Sequence, residues 1–324
     1  MALTMDPGLV LDLALQLLQI TIVVAIAPLV MGITRKVRAR LLRRRGPPLV
    51  QPYLDLWKLF HKEAVVADNA SWVYRRAPYV IFAATWVAAG LVPTYATGLL
   101  FSWSADLIAV VALLGTARFA LALAGMDVGT AFGGLGASRE MMIASLAEPA
   151  MLLIAFAVAL IAGTTQLSAI AALFATGEVG VRVSLGLALL ALVIVGIAEN
   201  ARIPVDNPAT HLELTMVHEA MILEYSGRHL AMIEAAAQLK LVLYFSLVAC
   251  LFAPFGMATA DKSLAAMALG LVTWLLKIVA FAVLLPIAET TVAKMRVFRY
   301  PAFLGSAFAA AALAVFLRFV SRGF

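Results

Sequence analysis

Long apolar runs constrain this chain more than any other feature. They lie near 9–33, 78–100, 105–125, 141–163, 182–199, 231–253, 263–285 and 301–320. A helix rises about 1.5 Å per residue, so a run of about 20 residues crosses a hydrocarbon core roughly 30 Å thick. Backbone in lipid finds no water to bond, and a helix satisfies its N–H and C=O groups internally. The runs predict an all-α polytopic membrane protein with about eight transmembrane helices, forming a single integral membrane domain over residues 1–324. The composition agrees: 64% of residues are hydrophobic, against roughly 45–50% in a soluble domain.

Charge between the runs sets the orientation. The loop 34–77 carries Arg35, Lys36, Arg38, Arg40, Arg43, Arg44, Arg45, Lys58, Lys62, Arg75 and Arg76, and the loop after the seventh run adds Lys294, Arg296 and Arg299. The other side has only the scattered Arg182, Lys262, Arg318 and Arg322. Basic excess marks the cytoplasmic side, so both termini are expected outside. The first run has no basic residues before it and many after it, the reverse of a cleaved signal peptide. The pI of about 9.6 therefore reflects topology rather than nucleic-acid binding. Cys250 is the one cysteine. It excludes an intrachain disulfide, and an iron–sulfur cluster needs about four thiolates. No metal-binding spacing of His and Cys occurs.

Within the basic loop, Gly46-Pro47-Pro48 ends the charge run. Leu49, Tyr53, Leu56, Trp57 and Phe60 then recur at helical spacing, with Asp55, Lys58 and Lys62 off that stripe. The segment is too short and too charged to span, and it predicts an interfacial amphipathic helix. A surface helix that only pins the loop has the same pattern.

The chemistry concentrates in 199–227, ENARIPVDNPATHLELTMVHEAMILEYSG. Glu199, Asp206, Glu213, Glu219 and Glu224 fall here with Arg202, His211 and His218, in a chain where 13% of residues are charged. Two X-Pro steps break the start of the segment. From His211 to Tyr225 the pattern predicts a helix, an acidic loop-helix on the cytoplasmic side (200–230). Glu213 and Glu224 lie about three turns apart and share a face. Apolar neighbours interleave with the acids, so this is no solvated charge run.

Further ionisable residues interrupt the spans themselves. Arg118 lies in the third, Glu148 beside Pro149 in the fourth, Glu234 and Lys240 in the sixth and Lys277 in the seventh. The glycine-rich GMDVGTAFGGLGASRE before the fourth span follows no strand, so a dinucleotide fingerprint does not apply. It predicts a loop folded close to the bundle, with Ser138 as N-cap and Glu140 in the first turn. A charged residue at a span's centre costs about 2.5–3.5 kcal/mol even on the insertion scale. Such residues form neutral pairs or a proton relay, and burial makes carboxyls able to exchange protons near neutral pH.

These motifs resemble a known family. Gly46, Pro47, Gln51, Pro52, Asp55, Lys58, Leu59, Lys62 and Glu63 match the first cytoplasmic loop of the NuoH-like membrane subunits of complex I. Glu199, Arg202, Pro204 and Asp206 look like that family's E-x-x-R-x-P-x-D loop, and Glu224-Tyr225-Ser226-Gly227 like its EYSG. Val205 and the NPATHLELTMVHEA continuation depart from complex I. With FGGLGASRE, they are more similar to the membrane-anchor subunit of formate hydrogenlyase and hydrogenase-4, among the group 4 nickel–iron hydrogenases.

The resemblance implies a subunit that docks soluble hydrogenase-like large and small subunits and abuts antiporter-like membrane subunits. A nickel–iron centre and iron–sulfur clusters are then expected in the partners, with no cofactor held by this chain alone. It implies arm docking at Arg43, Arg44, Arg45, Gln51, Asp55, Lys58, Lys62 and Glu63. It also implies coupling to proton or sodium movement through Glu140, Glu148, Glu199, Arg202, Asp206, Glu213, Glu219, Glu224, Glu234 and Lys240. His211, His218, Tyr225 and Arg118 are expected to line the chamber. In the complex I branch a quinone fills it, and the altered loop here puts that quinone in doubt. A quinone-chamber subunit of complex I is the alternative reading. A stand-alone transporter comes third, because no internal repeat of the kind such folds show is present. The location expected is a bacterial or archaeal cytoplasmic membrane.

Overall fold

In the computed structural model the described residues are 7–177, 180, 182–206, 216–259, 263–296 and 299–320, with side chains from residue 12 onward. They form eleven α-helices: α1 Pro7–Leu41, α2 Gln51–Phe60, α3 Trp72–Leu91, α4 Leu107–Asp127, α5 Ala131–Ala162, α6 Leu167–Ala175, α7 Val183–Glu199, α8 His218–Ile222, α9 Gly227–Phe252, α10 Leu264–Thr291 and α11 Tyr300–Val320. Among the described residues there is no strand, only the isolated bridges Ala96 to Ala258 and Asp106 to Gln166. Six helices, α1, α4, α5, α9, α10 and α11, are long and apolar enough to cross a membrane. The apolar α7, 17 residues long, and α3 pack among them, so the eight predicted runs each fall on a helix.

The bundle is built around α9. It lies against α1, α3, α7 and α10, while α5 and α11 close the side beyond α7. Its Leu239, Val242, Leu243, Leu247 and Cys250 are fully buried in the main core with Leu192, Val195 and Ile278. Small residues such as Ala147, Ala150, Ala188, Ala191, Ala307 and Ala311 bring backbones close, the usual basis of helix packing in lipid.

Several boundaries differ from the sequence expectation. α1 continues eight residues past the expected end at 33, carrying Arg35, Lys36, Arg38 and Arg40 on helix rather than loop. Arg and Lys are good helix formers, and cations favour the last turn of a helix. α3 starts earlier than expected because Ser71 Oγ accepts from Val73 N at 3.0 Å, and it stops at Leu91 before Pro93. α10 runs on to Thr291, past the predicted end at 285.

The largest difference is α5. Most of the glycine-rich stretch is not a loop: 125–127 end α4, and from Ala131 it forms the first turns of α5, so Ser138 is not the cap. Thr130 caps the helix, its Oγ1 accepting from Gly133 N at 3.2 Å. Gly133 touches the carbonyl of Gly125 in α4, and a Cβ on Gly136 would come within 2.8 Å of Val217 O. The glycines thus serve close helix approach. By contrast α8 is shorter than the helix expected over 211–225. Residues 216–217 and 223–226 are not helical, and Val217 offers no side-chain cap. The first part of that expectation, with His211 and Glu213, lies outside the described residues.

Candidate functional site: a charged chamber and an arginine-centred cluster

At the end of the bundle that carries the basic residues, α1, α8, α9 and the 200–206 turn enclose a cavity of about 420 Å³. Its wall holds five cations (Arg35, Arg38, Arg44, Arg202, Lys240), four carboxylates (Glu199, Asp206, Glu219, Glu234) and His218. Each arrives for a local reason. Arg35 and Arg38 of α1 reach the wall because that helix runs on past the apolar span. Glu199 ends α7, and the chain then turns sharply through Asn200 and Ala201, the latter at φ 48°. Arg202 N donates to Ile197 O at 3.0 Å, which folds the guanidinium back against the bundle. Glu234 and Lys240 lie six residues apart on α9.

The two described groups on α8 are shifted in opposite senses. Burial pushes Glu219 up to about 7, with Glu234 and Asp206 adding to the effect and Arg35 opposing it. Burial pulls His218 down to about 4, helped by Lys240 and opposed by Asp206. Glu219 therefore exchanges its proton near neutral pH, while His218 stays neutral there.

Behind the chamber wall stands Arg118 of α4, 5% exposed. Its guanidinium reaches Glu199, Glu140 at 3.4 Å and Glu148 at 3.6 Å. Lys240 approaches the second oxygen of Glu199 at 3.9 Å. Two cations thus face three carboxylates in a low-dielectric place, where such interactions are strong. Glu140 and Glu199 are buried, but the Glu148 side chain is 46% exposed on the flank of the bundle. The cluster runs from the chamber wall to that flank.

A second cluster lies on the other side. Glu289 of α10, buried, sits 3.6 Å from Arg202 and 3.7 Å from Arg38. Lys294 bonds Asp206 at 3.3 Å, and Met295 N donates to Pro204 O at 2.9 Å. Sequence reasoning missed Glu289 and treated Arg38 and Lys294 as topology alone. The signal was present: an acid near the end of an apolar run, three residues after Pro286, like Glu148 beside Pro149.

The structure brings Glu140, Glu148, Glu199, Arg202, Asp206, Glu219, Glu234, Lys240, His218 and Arg118 to or beside the chamber. It does not bring Glu224 and Tyr225 there. Glu224 is exposed. Tyr225 is buried against Tyr74, the rings stacked at 4.0 Å, and its hydroxyl donates to Tyr74 O at 2.9 Å. The EYSG motif is a joint. Ser226 Oγ accepts from Val65 N at 2.8 Å, and Gly227, at φ 52°, lies on the carbonyl of Glu63. His211 and Glu213 lie outside the described residues.

The expected docking residues occupy the same face. Gln51 Nε2 donates to Asp55 at 2.8 Å and Arg35 pairs with Asp55 at 3.8 Å, tying α2 to α1. Arg43, Arg44, Arg45, Lys58, Lys62 and Glu63 are exposed. So are the apolar Leu54, Trp57 and Phe60 of α2, as an interfacial helix requires. Among the described residues no group of three or more His, Cys, Asp or Glu side chains is arranged to hold a metal ion.

Comparison with known proteins bears on this arrangement. The sequence profile of the family described as NADH dehydrogenase matches residues 13–320. Hydrogenase-4 component C of Escherichia coli (strain K12) is 38% identical over 280 residues, 86% of this chain and 87% of that one. Formate hydrogenlyase subunit 4 of the same strain is 32% identical over 305 residues, covering 94% and 97%. NADH-quinone oxidoreductase subunit 8 of Rhodothermus marinus is 27% identical over 232 residues, covering 67% and 66%. A chain in the structure of the membrane-bound sulfane sulfur reductase, an archaeal respiratory membrane complex, superposes with a TM-score of 0.77. It covers 96% of this chain and 99% of that chain at 23% identity, which speaks to the fold.

Proposed function

Because this chain belongs to the NADH dehydrogenase family, we propose that it is the membrane-anchor subunit of an energy-converting oxidoreductase complex of the hydrogenase-4 and formate hydrogenlyase kind. The higher identity and fuller coverage of those two relatives favour this over a quinone-chamber subunit of complex I. The basic face, with α2 and the exposed Arg43, Arg44, Arg45, Lys58 and Lys62, docks a soluble arm of large and small subunits. That arm holds the nickel–iron centre and iron–sulfur clusters, and this chain holds none. Antiporter-like membrane subunits lie against the flank at Glu148. The complex sits in a bacterial or archaeal cytoplasmic membrane, with the basic face in the cytoplasm and both termini outside.

One observation carries the coupling role: Arg118 touches Glu199, Glu140 and Glu148 at once. Redox events in the arm change the charge at the chamber, where Glu219 and Glu234 take up or release a proton. Glu199 and Lys240 sense that change, and Arg118 shifts its pairing toward or away from Glu140 and Glu148. A half-exposed carboxylate at that depth is costly beside lipid and is suited to a neighbouring subunit that moves protons or sodium.

The test is to purify the complex through a tag on this chain, then assay metals and hydrogen evolution together. Nickel with iron and hydrogen turnover supports the reading. Iron without nickel, together with quinone reduction, moves the chain to the complex I side. A metal-free single chain that transports ions overturns the anchor role.

A further inference from the structure

The relay through Arg118 leaves one buried carboxylate unused. Glu289 is 3% exposed, and among the described residues neither of its oxygens accepts a hydrogen bond. Its partners are the guanidiniums of Arg38 and Arg202 at 3.7 and 3.6 Å. Both arginines line the chamber and Glu289 does not. An isolated buried carboxylate is far costlier than a paired one, so this acid is retained against a penalty. Its place also matters. Lys294 and Met295, just past the end of α10, bind Asp206 and the Pro204 carbonyl. The 200–206 turn is therefore stitched to α10 at three points, and Glu289 is the buried one.

We propose that Glu289 is a positioning residue of the chamber, holding Arg38 and Arg202 in its wall and balancing their charge, so that α10 and the acidic turn respond together. The proposal rests on the coupling reading given above. It assigns α10 a part in a chamber whose other output runs through Arg118. Without the Glu289 charge, the negative charge that faces the two guanidiniums is gone, and the potential beside the space that Glu219 faces becomes more positive. The other titratable and charged groups lining that space are Arg35, Arg44, Lys240, Glu199, Asp206, Glu234 and His218. Added positive potential favours the carboxylate form of an acid, so the proton on Glu219 leaves at lower pH.

The experiment is an infrared pH titration of carboxyl groups in the purified membrane complex. The Glu219 signal is assigned by its disappearance in Glu219→Gln. In the wild type its midpoint is expected at about 7, because burial raises it. Glu289→Gln moves it down by up to roughly one pH unit, the size expected for a single charge lost across the chamber at an effective dielectric constant near 20. Glu289→Asp restores the wild-type midpoint, because it keeps the charge. Arg38→Gln moves the midpoint up, which provides an opposite-sign test should Glu289→Gln fail to assemble. An unmoved midpoint in an assembled Glu289→Gln complex overturns the proposal, as does an equal shift in Glu289→Asp. If Glu219→Gln removes no titrating signal, the chamber reading itself falls. That result is distinct from a Glu219 signal that Glu289 does not move.

Discussion

Replacing Arg118 by methionine tests the cluster most directly. The unbranched side chain keeps much of the volume and removes the charge. At 3.4 Å and an effective dielectric constant near 20, the Arg118–Glu140 attraction is about 5 kcal/mol before desolvation. Removing one partner of a buried pair costs about 3–5 kcal/mol, because the other charge is stranded. Glu148 counts for less, since its side chain is 46% exposed and solvent screens it. Lys240, 3.9 Å from Glu199, remains to hold that acid alone. Glu140 is then left with no cation in salt-bridge contact among the described residues, and the pathway from the chamber to the flank loses its centre. The assay is the complex reconstituted in vesicles, with ion uptake followed by an internal dye and electron transfer measured separately. Arg118→Met is expected to leave the arm's electron transfer intact while the ions moved per electron fall to a small fraction of the wild-type ratio. Adding Glu140→Gln recovers part of the lost thermal stability without recovering coupling, since it removes the stranded charge but not the gap. Arg118→Lys rescues poorly, because an ammonium lacks the planar fork that serves several carboxylates. Unchanged coupling in an assembled Arg118→Met complex would refute the reasoning.

Three other outcomes follow from the same geometry. Glu148→Gln is expected to lower ion translocation strongly while electron transfer continues, and full coupling in that variant would mean the flank carboxylate is not on the path. His218→Asn is expected to leave the pH profile of coupled turnover unchanged between about 6 and 8, because a histidine held near 4 is already neutral there; loss of a limb near 6.5 would contradict this. Gly227→Ala forces a side chain into a φ of 52° and onto the Glu63 carbonyl, at a cost of about 1–3 kcal/mol. It should release the 62–65 segment, detected as a new protease-sensitive site there.

The apolar runs made the spans legible because a helix in lipid has few alternatives. Helix ends were less legible, since they depend on caps and on neighbours. Ser71 and Thr130 begin α3 and α5 well before the apolar stretch does, in residues that look like loop when read for hydrophobicity. Gly133 and Gly136 read as loop in sequence, yet they are helical, and α4 and α8 lie too near them for a side chain. Among site residues, Arg118, Glu140, Glu148, Glu199 and Lys240 were visible as charges that apolar surroundings do not tolerate alone. Tyr225 was not readable in the same way. Its motif suggested the chamber, but its ring serves the joint with Tyr74, and spacing along the chain carries no information about a partner 151 residues away.

The two clusters share a cause. The 199–206 turn places an acid, Glu199, one helical turn before a cation, Arg202, on either side of a chain reversal. The acid therefore faces α4 and α5, where Arg118 waits, and the cation faces α1 and α10, where Glu289 waits. A charge arriving in the chamber strengthens one pairing as it weakens the other, because one wall residue is negative and the other positive. Opposite signs at the two ends of one short turn are what allow a single event to be felt on both sides of the bundle. A Glu199→Gln chain would keep the Arg202–Glu289 contact and lose the charge pairing to Arg118 and Lys240, whereas Arg202→Gln would keep that pairing and lose the Glu289 contact. Coupling lost in the first and merely shifted in pH in the second is the pattern this turn dictates; equal loss in both would mean that the turn acts as one rigid support.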